Sequence, residues 1–293
     1  MADDTIAEDD PLTDVEDSDV EEPAESTGTR TEVFTGLLWL GISVFTAYAT
    51  LHGAPGGPGP LEAAIQAMPD LITSSLITAA AIAAAAGSRR GSALGRLLVG
   101  LAVGAGFGLV TAVGVRWAYG AETSVTTLCL TVAAACVLGG AFAVLPGPVL
   151  DSSLWAMTWV LFAGLILTVL KDPLLTVLGG GPAATDAAQA TAETRFGYLQ
   201  PVAAGLLAAV HSVTWLRMDR PALLWYPLTG ALPGVYLLAT EALGDATARA
   251  LSATPGGAVG AALFTDPTRI RYAAIVLVVG GVLGLLLGAR KSK

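Results

Sequence analysis

Charge is the first thing this 293-residue chain lacks: only 13% of its residues are Asp, Glu, Lys or Arg, about half the share of an ordinary soluble domain. Cysteine and histidine number two each, too few for a disulfide framework or a Cys/His metal cluster. Catalytic signatures are missing as well: no HExxH, no phosphate-cradling Gly-rich loop with Lys, no CxxC and no Gly-x-Ser-x-Gly turn. These absences argue against a soluble enzyme, a nucleic-acid binder or a disulfide-rich secreted domain. No catalytic residue, metal site or cofactor is assigned.

What is present is hydrophobic, at 54% of the chain, and unevenly laid out. Residues 1–32 hold thirteen of the 24 acidic residues and one base, Arg30, whereas the remainder holds 14 bases and 11 acids. The segment 1–32 has no aromatic before residue 34 and no apolar stripe. It cannot bury enough surface to offset the entropy of ordering, so a disordered acidic cytoplasmic tail is expected there. Two readings stand for it: a solvating leader, or a docking strip for a basic membrane or cytoplasmic partner. Because it is the opposite of a basic signal peptide, the first apolar run reads as a retained membrane helix.

Crossing the hydrocarbon core takes about 20 apolar residues in a helix. Eight such runs are expected at 33–52, 70–88, 95–116, 123–145, 153–172, 198–217, 221–241 and 271–289. They are continuously apolar, unlike lipid-facing strands, which alternate. The fold class is therefore an all-α polytopic membrane protein of about eight transmembrane helices: a bundle over 33–289, the acidic tail, and a basic cytoplasmic end at 290–293. Short Arg-dense stretches, GSRRGSALGR and RMDRP, place one set of loops and both termini on the cytoplasmic side of the cell membrane. The longer stretches Gly53–Pro69, Pro173–Gly197 and Ala242–Ile270 read as outer loops. One of them carries LSATPGGAVGAALF, which is apolar but too short to cross.

The two halves follow a similar plan, suggesting a 4+4 tandem repeat. Arg90, Gly100 and Gly104 are matched 130 residues later by Arg220, Gly230 and Gly234. Halves with an even number of spans share an orientation, as in transporters whose repeats are related by an axis along the membrane normal.

Polar groups inside a span are candidates for function. His52, Arg116, Lys171, Asp172 and Glu241 fall at outer helix ends, where they either line an outward vestibule or anchor helices in the interface. His211 lies deeper, as a bonded neutral ring or a relay group. In RPALLWYPLTGALPGV, Pro227 and Pro233 flank Gly230 and precede Gly234, a pattern that fits a broken helix framing a transporter site or a tolerated kink. Gly100, Gly104 and Gly108, and likewise Gly280, Gly284 and Gly288, form small-residue stripes for close helix packing, within the chain or in an oligomer. Cys129 and Cys136 read as small apolar residues.

The expectation is a transporter-like protein or permease subunit for a small solute, ion or lipid. The alternative is a non-enzymatic scaffold whose acidic tail docks a cytoplasmic partner. An outer-face enzyme using carboxylates such as Asp172 and Glu241 is a third reading. Beyond the lipid bilayer and these partners, no nucleic acid is expected.

Overall fold

A computed structural model describes residues 27–52, 60–87, 92–120, 122–181, 184–217, 222–253 and 267–290. Among them every regular element is helical: α1 (Thr27–His52), α2 (Pro60–Gly87), α3 (Ala93–Tyr119), α4 (Thr123–Ala141), α5 (Gly147–Val169), α6 (Lys171–Val177), α7 (Asp186–Leu216), α8 (Trp225–Ser252) and α9 (Pro267–Ala289). A 3-10 turn at Phe142–Val144 follows α4. Six helices (α2, α3, α4, α5, α7 and α9) are long and apolar enough to cross a membrane, and α1 adds a shorter apolar stretch at Val33–Ala49. The acidic segment 1–26, residues 254–266 and the end 291–293 lie outside the described residues.

The eight long helices overlap the eight apolar runs, but several begin or end elsewhere. α2 starts at Pro60 and passes through Pro69. α7 starts at Asp186, where Thr185 accepts a hydrogen bond from the Ala188 N–H at 3.4 Å. α8 starts at Trp225 and continues to Ser252. Segments 60–69, 186–197 and 242–252 are thus helix where outer loop was expected. Their Ala, Gln, Glu and Arg are good helix formers, and low apolar content conceals that from a search for membrane runs.

The packing has two groups. In the first, α2 lies against α1, α3 and α4, and α3 and α4 lie side by side. In the second, α7 lies against α5, α8 and α9, and α8 and α9 lie side by side. α2 is the most enclosed: 67% of its apolar window is buried, against 22% for α3. Its Ala63, Ala64, Ala79, Ala80 and Ala83 are fully buried, and such small side chains let five helices approach one rod. Without a hydrophobic drive between helices in lipid, close backbone contact and hydroxyl bonds hold such bundles.

Glycine provides that contact. Gly100 and Gly140 face each other between α3 and α4, so a Cβ on either would strike the other's carbonyl oxygen. Gly230 and Gly280 do the same between α8 and α9. Gly104 and Gly108 meet Cys136 and Ala133 of α4, while Gly284 and Gly288 sit on Tyr226 of α8. Both stripes therefore pack against helices of the same chain.

Hydroxyls add the polar bonds. Thr78 Oγ1 donates to the Gly36 carbonyl at 2.8 Å, tying α1 to α2. Ser152 Oγ donates to the Ser212 carbonyl at 2.8 Å, tying α5 to α7. At one end of the bundle, Arg96 donates to the Val144 carbonyl at 3.2 Å and Arg217 to the Leu287 carbonyl at 2.9 Å. Each arginine thus covers a carbonyl near the end of the last helix of its group, where orphan carbonyls and the helix dipole favour a cation.

Candidate functional site

The two groups meet along a seam formed mainly by α2 and α4 on one side and α5 and α8 on the other. Polar residues are sparse in it and each is placed by a helix face. Thr131 of α4 and Thr247 of α8 share a hydrogen bond at 2.6 Å between their hydroxyls, both buried. Tyr236 of α8 is fully buried; its hydroxyl bonds Ser153 Oγ of α5 at 2.6 Å. Its ring receives Phe142 edge-on, with centroids 4.7 Å apart. Among the described residues the buried polar side chains away from the surface are hydroxyls of Ser, Thr and Tyr. Such hydroxyls can bond an uncharged polar group.

At one end of the seam, Pro69 and Ile72 of α2, Thr240, Glu241 and Gly244 of α8, and Arg269 of α9 line a small crevice. Glu241 is half-buried there. The other members of the expected vestibule are elsewhere. Arg116 reaches Thr126 of α4 at 3.4 Å, and Lys171 and Asp172 are exposed on α6. α6 packs on α7 and α5, with Leu175, Ala192 and Phe196 in contact. The helices bearing Arg116, Lys171–Asp172 and Glu241 do not touch one another. His52 ends α1, and its side chain lies outside the described residues.

His211 is half-buried on α7. Its ring stacks on Trp159 of α5, centroids 4.2 Å apart and planes 19° from parallel. Nδ1 lies 2.9 Å from the Leu207 carbonyl. A carbonyl only accepts, so this partner assigns the proton to Nδ1. The bond closes on its own helix, not on a neighbour. Trp155 packs against both Trp159 and Trp215, at 6.2 and 5.7 Å, which makes His211 part of an aromatic girder between α5 and α7.

The proline pattern also resolves into packing. Pro227 falls in the first turn of α8, where a missing N–H removes no helix bond; only Pro233 is interior. Gly230 and Gly234 admit the α9 backbone at Gly280 and Leu277. Pro227 is therefore not a break, contrary to the expectation, because the helix begins four residues later than the apolar run.

The seam hydroxyls were missed in the sequence. Their only signal was Ser or Thr within apolar runs such as LTVAAAC, and these residues are cheap enough in a membrane helix to pass unnoticed. Compared with protein families, with characterised proteins and with solved structures, the chain matches none.

Proposed function

We propose that the chain is a transporter-like membrane protein that moves a small uncharged or amphiphilic solute between two four-helix groups. In this reading α1 and α8 cross the membrane together with the six longer apolar helices. α1–α4 and α5, α7, α8, α9 are then a tandem repeat about an axis along the membrane normal, with both chain ends on the cytoplasmic face.

One observation carries the reading: the same packing order occurs twice. In each group the second helix touches the other three, and the third and fourth are joined by facing glycines, Gly100 with Gly140 and Gly230 with Gly280. The second and fourth helices also meet through one glycine in each group, Gly139 against Leu76 and Gly205 against Val279. Contact between the groups is thinner than contact within them, which is the arrangement that lets halves rock as bodies.

Crosslinking tests this. With Cys129→Ala and Cys136→Ala as background, Thr131→Cys and Thr247→Cys put two thiols across the seam. The chain is reconstituted in vesicles holding a fluorescent short-chain phospholipid. Movement of the lipid between leaflets should stop on oxidation and return on reduction. Movement that ignores the crosslink would remove the seam from the mechanism, and no movement in any state would remove this lipid as the solute.

A further inference from the structure

One end of the bundle collects arginines, and a run of contacts places them beside the start of α1. α1 and α2 are joined by the seven residues 53–59 and run antiparallel. Thr78 of α2 bonds Gly36 of α1, so nine residues back along α1 and nine on along α2 bring Thr27 level with Gly87. The neighbour at Gly87 is Arg96 of α3, whose side chain a Cβ there would meet at 3.8 Å. Arg96 in turn bonds Val144, three residues before α5 begins at Gly147. Near that start Ser152 bonds Ser212 of α7, five residues before Arg217. Arg217 bonds Leu287 of α9, three residues before Arg290. Arg96 and Arg217 are half-buried and Arg290 is exposed. Among the described side chains Asp151, half-buried, is the one acid at this end.

The chain that leads into α1 has the opposite charge. Residues 1–26 hold twelve acids and no Lys or Arg, and they join the bundle at Thr27, on the arginine-bearing end. The sequence next to these helix ends is basic as well: 88–92 and 218–221 hold three Arg against one Asp, and 291–293 hold two Lys. α1 touches α5, α5 touches α7 and α7 touches α9. At 8–10 Å for each helix step, Arg290 lies at most about 30 Å from Thr27. An open chain of that length reaches about 25–30 Å on average. Being tethered, it is present at an effectively millimolar concentration, so weak surface attractions add up.

We infer that residues 1–26 dock on the arginine-bearing end of their own chain, as an anionic strap running from Thr27 past Arg96 and Arg217 towards Arg290. A guanidinium carries five N–H donors, so an arginine that covers a carbonyl can still meet a carboxylate, and such charge-assisted bonds are the stronger kind. While docked, the strap keeps these arginines from the anionic headgroups of lipids, which offer the same charge. The contact needs no opening of the seam and stands apart from the transport reading.

Coupling with a water-soluble carbodiimide, which joins a carboxylate to an amine without a spacer, tests this on the purified full chain. Arg290→Lys and Arg96→Lys, made separately, each keep the charge and supply an amine, and the native Lys291 and Lys293 report on the unsubstituted chain. Lys171, exposed on α6 beyond the far end of α5, is the control. In uncharged detergent at low salt, mass spectrometry of the monomer should find carboxylates of 1–26 coupled to positions 290 and 96, and Lys171 left free. Coupling should fall about fivefold in 1 M salt, where charges are screened beyond about 3 Å. It should fall likewise when phosphatidylglycerol vesicles replace the detergent. Coupling as strong at Lys171, indifferent to salt, absent from both variants, or found only between two copies would overturn the strap. Coupling that persists beside phosphatidylglycerol would overturn the competition with lipid.

Discussion

The first and second groups of helices use one packing order and end in different states. α1 and α3 stand apart over α2, leaving a gap between them, whereas α5 and α8 touch over α7. The register that pairs Gly100 with Gly230 also pairs Gly106 of α3 with Tyr236 of α8. At Gly106 a Cβ would meet nothing within 4 Å; at Tyr236 a buried ring reaches α5 and bonds Ser153. The Tyr236 side chain thus joins α8 to α5 in one group, and the matching position in the other is an open glycine. Two groups of helices can share a packing order and still differ in their side-chain contacts.

The strongest way to break that comparison is to attack the shared frame. Gly100→Leu and Gly230→Leu each force a side chain into a facing backbone, and neither variant should be recovered folded. The milder Gly100→Ala and Gly230→Ala should each cost about 1–3 kcal/mol in detergent unfolding. Loss in one group with tolerance in the other would undo the claim of a common frame. Next comes the closing side chain. Tyr236→Ala should cost about 3–5 kcal/mol, while Tyr236→Phe, which removes only the bond to Ser153 and leaves that hydroxyl donating to the Leu150 carbonyl, should cost about 1 kcal/mol.

Glycines on the open side should behave in the opposite sense. Gly106→Ala and Gly114→Ala meet no neighbour, and each should gain up to about 1 kcal/mol from helix propensity in the same assay. The smallest effect belongs to the seam: Thr131→Val should cost about 0.6 kcal/mol, typical of a hydroxyl bond between membrane helices.

Much of this frame was readable as apolar runs and glycine spacing. The eight runs overlap the eight long helices, of which six are long and apolar enough to cross a membrane. Helix ends were harder. Ala- and Thr-rich stretches such as DAAQATAETRFG carry helix propensity but little hydropathy, so α7 was drawn twelve residues short. The same shift moved Pro227 from a supposed break to a harmless first-turn position. The glycine stripes were visible, but whether a stripe meets its own chain or a second copy depends on three-dimensional packing. Charged residues at helix ends could not be sorted by sequence either: Glu241 comes to the seam, while Lys171 and Asp172 stay on α6. The gap between α1 and α3 left no mark at all, since it is made by two helices that fail to meet.

Side-specific labelling tests the central claim of two like-oriented groups of four crossings. In a chain carrying Cys129→Ala and Cys136→Ala, single cysteines replace Ser92, Leu223, Gly120 or Ala187 and meet a membrane-impermeant thiol reagent in intact cells. Gly120→Cys and Ala187→Cys should react at once, and Ser92→Cys and Leu223→Cys only after the membrane is opened. Ser92→Cys and Leu223→Cys reacting on opposite sides would contradict the account.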